Sequence, residues 1–121
     1  MNTVIRFAAC LAFALTLFAG ASAQAGRTRG PGIQNARVPA GGTVTLNDTF
    51  SADQVAEVYV LGDGDTDLDL YVYDENGNLI ASDTDNLDVC FVRWNPKWTG
   101  GFRIVIKNLG GVYNEFTIET N

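Results

Sequence analysis

Asp63, Asp65, Asp67 and Asp69 recur at every second position of Gly62-Asp63-Gly64-Asp65-Thr66-Asp67-Leu68-Asp69, and Asp83 and Asp85 repeat that spacing later in the chain. Carboxylate oxygens are the ligands that a hard cation such as calcium takes. Gly62 and Gly64 let the backbone bend between them. In a fully extended strand alternate residues stand roughly 6.6 Å apart, so the first four acids converge only if the glycine-containing half curls. The EF-hand pattern is not met, because Leu68 stands where that loop requires glycine for its sharp turn. The six aspartates are thus a candidate calcium set. The alternative is a hydrated acidic edge whose side chains accept hydrogen bonds from nearby turn amides. No cofactor is required by these residues, and calcium is the one they could use.

A second chemistry is aromatic. Tyr71 and Tyr73 share one face of the run Leu68-Asp69-Leu70-Tyr71-Val72-Tyr73, and Trp98 lies in a turn. Rings with polar tips suit the recognition of sugars, peptides or protein surfaces. The alternative is packing over cross-strand neighbours. Arg103 and Lys107, with Val105 between them, form a basic outward stripe that balances the acidic strands. An anionic ligand is the second reading of that stripe.

Catalysis finds little support. The chain has no histidine, which removes Ser-His and Cys-His dyads and imidazole metal sites. Ser51 and Ser82 lie in turn or strand-edge contexts without a base. Surface aspartates are too numerous for any one pair to mark a glycoside-hydrolysing site. The expectation is a protein that is not an enzyme.

These residues need elements to hold them. Leu68, Leu70 and Val72 alternate with Asp69, Tyr71 and Tyr73, the two-residue period of a half-buried strand. Asn76-Gly77 follows, which predicts a two-residue type I′ hairpin turn. Strands are also predicted over Thr43–Leu46, Val55–Leu61, Leu79–Ser82, Val89–Trp94, Phe102–Lys107 and Tyr113–Glu119, separated by Gly, Asn, Asp and Pro clusters. Phe102, Ile104, Ile106, Phe116 and Ile118 form buried sets, and Phe50 and Trp94 point into the core. No helical period appears outside the N-terminal leader. Seven or eight short strands with frequent turns predict an all-β, antiparallel β-sandwich of jelly-roll or Greek-key type.

The chain of 121 residues suits one domain. Met1 to Arg6 carries one positive charge, Phe7 to Ala19 is almost wholly apolar, and Ala21-Ser22-Ala23 is a small-x-small cleavage site, the layout of a secretory signal peptide. The apolar run is too short for a membrane span. Residues 1–23 are read as the signal peptide, 24–37 as a flexible N-terminal segment and 38–121 as the sandwich; cleavage after Ala25 is the alternative. The mature protein is expected to be secreted or periplasmic, with no membrane partner after cleavage. It keeps Cys90 alone, so it forms no internal disulfide and depends on its core; Cys90, in a strand-like run, reads as a buried inert thiol. Twelve acidic residues and no Lys or Arg lie between Val38 and Val92, which argues against nucleic acid as a partner.

Asp67-Leu-Asp-Leu-Tyr-Val-Tyr73, Asp74 with Asn76-Gly77, Ala81-Ser-Asp83, Gly101-Phe-Arg-Ile-Val-Ile106, Asn108-Leu-Gly-Gly and Tyr113-Asn-Glu-Phe-Thr-Ile118 resemble the bacterial pre-peptidase C-terminal domain. The collagen-binding domains of clostridial collagenases are similar in architecture. The resemblance runs from about Gly42 onward and implies a jelly-roll-like β-sandwich, normally a non-catalytic appendage of secreted peptidases. It also implies that calcium or a polymeric substrate is bound by some relatives. The domain is expected to stand behind its signal peptide without an attached peptidase. The expected function is a non-catalytic binding module for an extracellular polymer or an exported protein. The alternative is an accessory protein that assists another exported protein without a ligand site of its own.

Overall fold

The computed structural model describes residues 26–121, so the predicted signal peptide lies outside the described residues. Eight strands follow in order: β1 (Gly32–Val38), β2 (Thr43–Phe50), β3 (Ala56–Leu61), β4 (Leu68–Tyr73), β5 (Leu79–Asp83), β6 (Val89–Trp94), β7 (Gly100–Asn108) and β8 (Asn114–Thr120). They form two four-stranded sheets, ordered β1-β8-β3-β6 and β2-β7-β4-β5. Every pairing is antiparallel. Eight strands interleaved this way in two sheets make a jelly roll, as the strand spacing predicts.

The inner faces follow the two-residue period. Val58 and Val60 of β3, Leu68, Leu70 and Val72 of β4, Phe102, Ile104 and Ile106 of β7, and Phe116 and Ile118 of β8 are all buried. At one end Phe50, Trp94 and Phe102 pack edge-on or tilted, with ring centroids 4.9, 5.9 and 5.4 Å apart. Such pairs add roughly 0.5–1.5 kcal/mol each beyond the area they bury. The Cys90 thiol is buried and donates to the Leu68 carbonyl at 3.2 Å. Burial, then the negative charge of Asp83 and Asp85, pushes its pKa far up, so it is an inert thiol.

Two local expectations are corrected. Residues 32–37, the end of the segment 24–37 expected to be flexible, belong to a strand, paired with β8 from Gly32↔Thr120 to Val38↔Asn114. It carries little apolar alternation because it is an edge strand that sends Val38 fully into the core and Ala36 only partly. Its order comes from the β8 backbone. The β4–β5 reversal is not type I′, since Asn76 has ordinary φ and only Gly77, at φ +83°, is left-handed. The Gly77 amide donates to the Asp74 carbonyl at 3.1 Å and the Asp74 amide to the Asn78 carbonyl at 2.9 Å, a three-residue loop of type I geometry closed by glycine. The Asp74 carboxylate selects it by accepting from the Asn76 and Asn78 amides, both at 2.9 Å, and from Asn78 Nδ2 at 3.1 Å. These bonds, the Asn78 amide first, hold its pKa below the usual carboxylate range.

Candidate functional site

The outer face of the β2-β7-β4-β5 sheet gathers the aromatic and basic residues that the sequence left separate. Strand alternation turns Tyr71 and Tyr73 outward on β4 and Arg103 and Lys107 outward on β7. The β4–β7 register then sets Tyr73 opposite Arg103, Tyr71 opposite Val105 and Asp69 opposite Lys107. The tyrosine rings stack with centroids 6.4 Å apart and planes 21° from parallel. The Arg103 guanidinium lies 4.7 Å from the Tyr73 centroid, and the Lys107 ammonium 5.1 Å from that of Tyr71. Both are cation–π distances, worth roughly 0.5–1 kcal/mol at an exposed site. On the far side of β7, Thr43, Thr45 and Asn47 of β2 stand opposite Lys107, Val105 and Arg103. Thr43 and Thr45 lie inside the predicted strand and Asn47 just beyond it; what the sequence does not show is the β2–β7 pairing that brings the row beside the two cations.

Neither cation meets a carboxylate. Among the described residues the ion pairs are Arg27–Asp48, Arg37–Glu115 and Arg93–Glu57. Lys107 stands opposite Asp69 in register, yet its ammonium lies over the Tyr71 ring. Asp69 is nearly buried; one of its oxygens accepts from the Tyr71 hydroxyl at 3.3 Å and the other has no hydrogen-bond partner. Burial first, then the charges of Asp67, Asp83 and Asp85, raise its pKa against the opposing Tyr71 hydrogen bond. The Tyr71 hydroxyl is raised in turn, by burial and by Asp69.

Trp98, grouped with the tyrosines as a candidate, stands in the β6–β7 connector. A Cβ on Gly100 would come within 3.0 Å of its ring and 2.9 Å of the Glu75 carboxylate, so glycine there lets both approach. The Glu75 carboxylate also accepts from the Gly101 amide at 3.1 Å. No ring contact joins Trp98 to Tyr71 or Tyr73 among the described residues.

Of the six aspartates, Asp67, Asp83 and Asp85 lie close enough to Asp69 for their charges to act on it. Asp63 accepts from the Asp65 amide at 3.1 Å and from the Glu115 amide at 2.9 Å. Asp83 accepts from the Phe91 amide and Asp85 from the Leu87 amide, both at 2.9 Å. Asp65 is exposed, and Asp67, like Asp69, keeps one buried oxygen without a partner. Among the described residues no three acids or thiols form a metal-holding group.

The glycine-containing loop is held by protein groups absent from the candidate set. Asn114, fully buried at the start of β8, accepts from the Asp63 amide at 3.1 Å and donates to Thr66 Oγ1 at 3.0 Å and to Asp88 Oδ2 at 3.2 Å. Asp88 also accepts from the Gly64 amide at 2.6 Å. Its carboxylate lies where a Cβ on Gly62 would be, which explains that glycine. Nothing local marks Asn114 for this role, because its partners lie on two distant loops.

No protein-family model and no curated protein sequence matches the chain. Solved structures do. The pre-peptidase C-terminal domain of a Bacillus anthracis collagenase superposes with a TM-score of 0.64 at 11% identity, over 74% of this chain and 88% of that one. The fold is that of a pre-peptidase C-terminal domain. The same architecture occurs in the Aeromonas hydrophila periplasmic inhibitor of g-type lysozyme (TM-score 0.56, 10% identity, 80% and 86% covered) and in the Yersinia pseudotuberculosis-derived mitogen (0.55, 12%, 75% and 84%). At these identities the likeness establishes the fold, and the chemistry of a pre-peptidase-type sandwich must be argued from its own residues.

Proposed function

We propose that this chain is an exported, non-catalytic binding module that holds a polymer or protein surface on the outer face of the β2-β7-β4-β5 sheet. One observation carries the reading: a stacked tyrosine pair is flanked by two cations with no carboxylate partner, on the outside of a sheet whose inner face is already packed. Export rests on the leader in residues 1–23. The solved structures of this fold include a collagenase domain and a lysozyme inhibitor, which supports a binding role without naming a target.

The test is retention in affinity gels cast with soluble polysaccharides and on immobilised gelatin, read beside thermal melting. Tyr71→Ala/Tyr73→Ala is expected to abolish retention while lowering stability by no more than about 1 kcal/mol per tyrosine, the scale of cross-strand pairs. Trp98→Ala is expected to retain binding. Stability loss with no retention by the parent protein on any support would favour the accessory-protein alternative.

Calcium is a second, separable proposal, favoured by the partnerless buried oxygens of Asp67 and Asp69. Two carboxylates with water completing the shell would make a weak site. The folded-state pKa of Asp69 is raised, so its charged form opposes folding at neutral pH. Asp69→Asn is therefore expected to raise the Tm in EDTA, and millimolar calcium to raise the Tm of the parent but not of the variant. Equal parent melts in both buffers, or a calcium shift that persists in Asp69→Asn, would remove calcium from the account.

A further inference from the structure

We infer that the ligand of this face is an acidic polysaccharide, a chain of sugar rings bearing carboxylates; the inference rests on the binding-module reading above. The first observation is the charge state of the face. Among the described residues Arg27, Arg37 and Arg93 each pair with a carboxylate and Arg29, Lys97, Arg103 and Lys107 do not; of these four, Arg103 and Lys107 stand together over the tyrosine rings of one face. The tyrosine rings position the two cations without neutralising them. Both groups are donors only, with no acceptor capacity, so the group they suit is an anion.

The second observation is geometric. Arg103 and Lys107 point the same way from one strand four residues apart, about 13 Å along it at the usual rise per residue. Val105, almost buried, floors the gap between them. Anions recurring along an extended polymer match this arrangement better than one compact anion does.

The third observation separates sugar from peptide. β7 is an inner strand, bonded to β2 on one side and β4 on the other, so its backbone has no free edge to offer an added peptide strand. Recognition falls to side chains. Those present are the tyrosine hydroxyls, the hydroxyls of Thr43 and Thr45, the amide of Asn47 and the two cations. Such a face suits a ligand rich in hydroxyl and carboxylate oxygens. Asp69 lies at one end of it, within reach of the charges of Asp67, Asp83 and Asp85, which disfavours nucleic acid with its denser phosphate charge.

The experiment uses polygalacturonate and its fully methyl-esterified form, which share a backbone and differ in charge. Affinity electrophoresis and calorimetry are run on the parent and on Arg103→Gln/Lys107→Gln, with melting curves for both. The expected result is retention by polygalacturonate and not by the ester, lost at least tenfold in the double variant while the Tm holds. Affinity is expected to fall roughly five- to tenfold between 50 and 200 mM NaCl, the scale for releasing counterions at two charges. Equal binding of acid and ester, or binding that survives Arg103→Gln/Lys107→Gln, would overturn the acidic-ligand inference and leave the binding face standing. Tyrosine-dependent retention on gelatin alone, or stronger retention on DNA than on polygalacturonate, would overturn it in favour of those partners. No retention on any of these supports would overturn both this inference and the binding-module reading.

Discussion

Asn114→Ala is expected to lower stability by about 3 kcal/mol, a Tm drop of roughly 10–20 °C for a domain of this size. The side chain is fully buried and makes three hydrogen bonds, to the Asp63 amide, Thr66 Oγ1 and the Asp88 carboxylate. Truncation strands all three partners, one of them an anion, and leaves the desolvation cost of each uncompensated. Differential scanning calorimetry measures the loss. Asn114→Asp separates this account from a simple volume effect, since the side chain keeps its shape but presents a carboxylate where Nδ2 donated to Asp88. Like charges at that distance are expected to destabilise strongly at pH 7 and less at pH 4, where one carboxyl holds a proton and can donate it. An Asn114→Asp melt that does not recover on acidification would show that the bond to Asp88 contributes little.

Glu119→Gln is expected to act in the opposite direction. Glu119 sits on the outer face of the other sheet, in the cross-strand row Ile33↔Glu119↔Tyr59↔Phe91. It is only 1% exposed, and neither carboxylate oxygen has a hydrogen-bond partner. The charged neighbours on this face are already committed, Arg37 to Glu115 and Arg93 to Glu57. Burial lifts its pKa from 4.5 to about 7. Between those values the folded protein binds more protons at this site than the unfolded chain, so the contribution to stability falls as pH rises from 4.5 to 7 and stays low above that. The full linkage value is not expected, because half-exposed Ile33 and Phe91 flank the group and admit water. Glu119→Gln is expected to raise stability at pH 8 by about 1–2 kcal/mol and to flatten the Tm between pH 5 and 7. Parallel melting profiles for parent and variant across that range would refute the assignment.

The strands themselves were legible. Leu68-Leu70-Val72, Phe102-Ile104-Ile106 and Phe116-Ile118 alternate with polar residues, and a two-residue period is a local property that any stretch of chain displays. β1 was not legible, because its order comes from β8, whose residues lie far along the chain. The hairpin was located correctly at Asn76-Gly77 and given the wrong turn type, because the Asp74 carboxylate outweighs the dipeptide preference. The aspartates divide only in three dimensions: Asp63, Asp83 and Asp85 accept from backbone amides, while Asp67 and Asp69 each keep a buried oxygen without a partner, a distinction that their shared spacing does not carry.

By itself, then, the sequence determined which residues turn inward and which outward, and with that the sandwich architecture, because side-chain direction along a strand depends only on position parity. Which outward residues stand together was decided by tertiary structure. Tyr73 meets Arg103 because antiparallel pairing of β4 with β7 sets that register, and Asn114 joins the Asp63 and Asp88 loops because β8 enters the opposite sheet beside them. A register shift of one residue would turn every outward side chain of a strand inward, so burial of the core locks the pairing. The packing of apolar residues thereby places the tyrosines and cations that line the outer face.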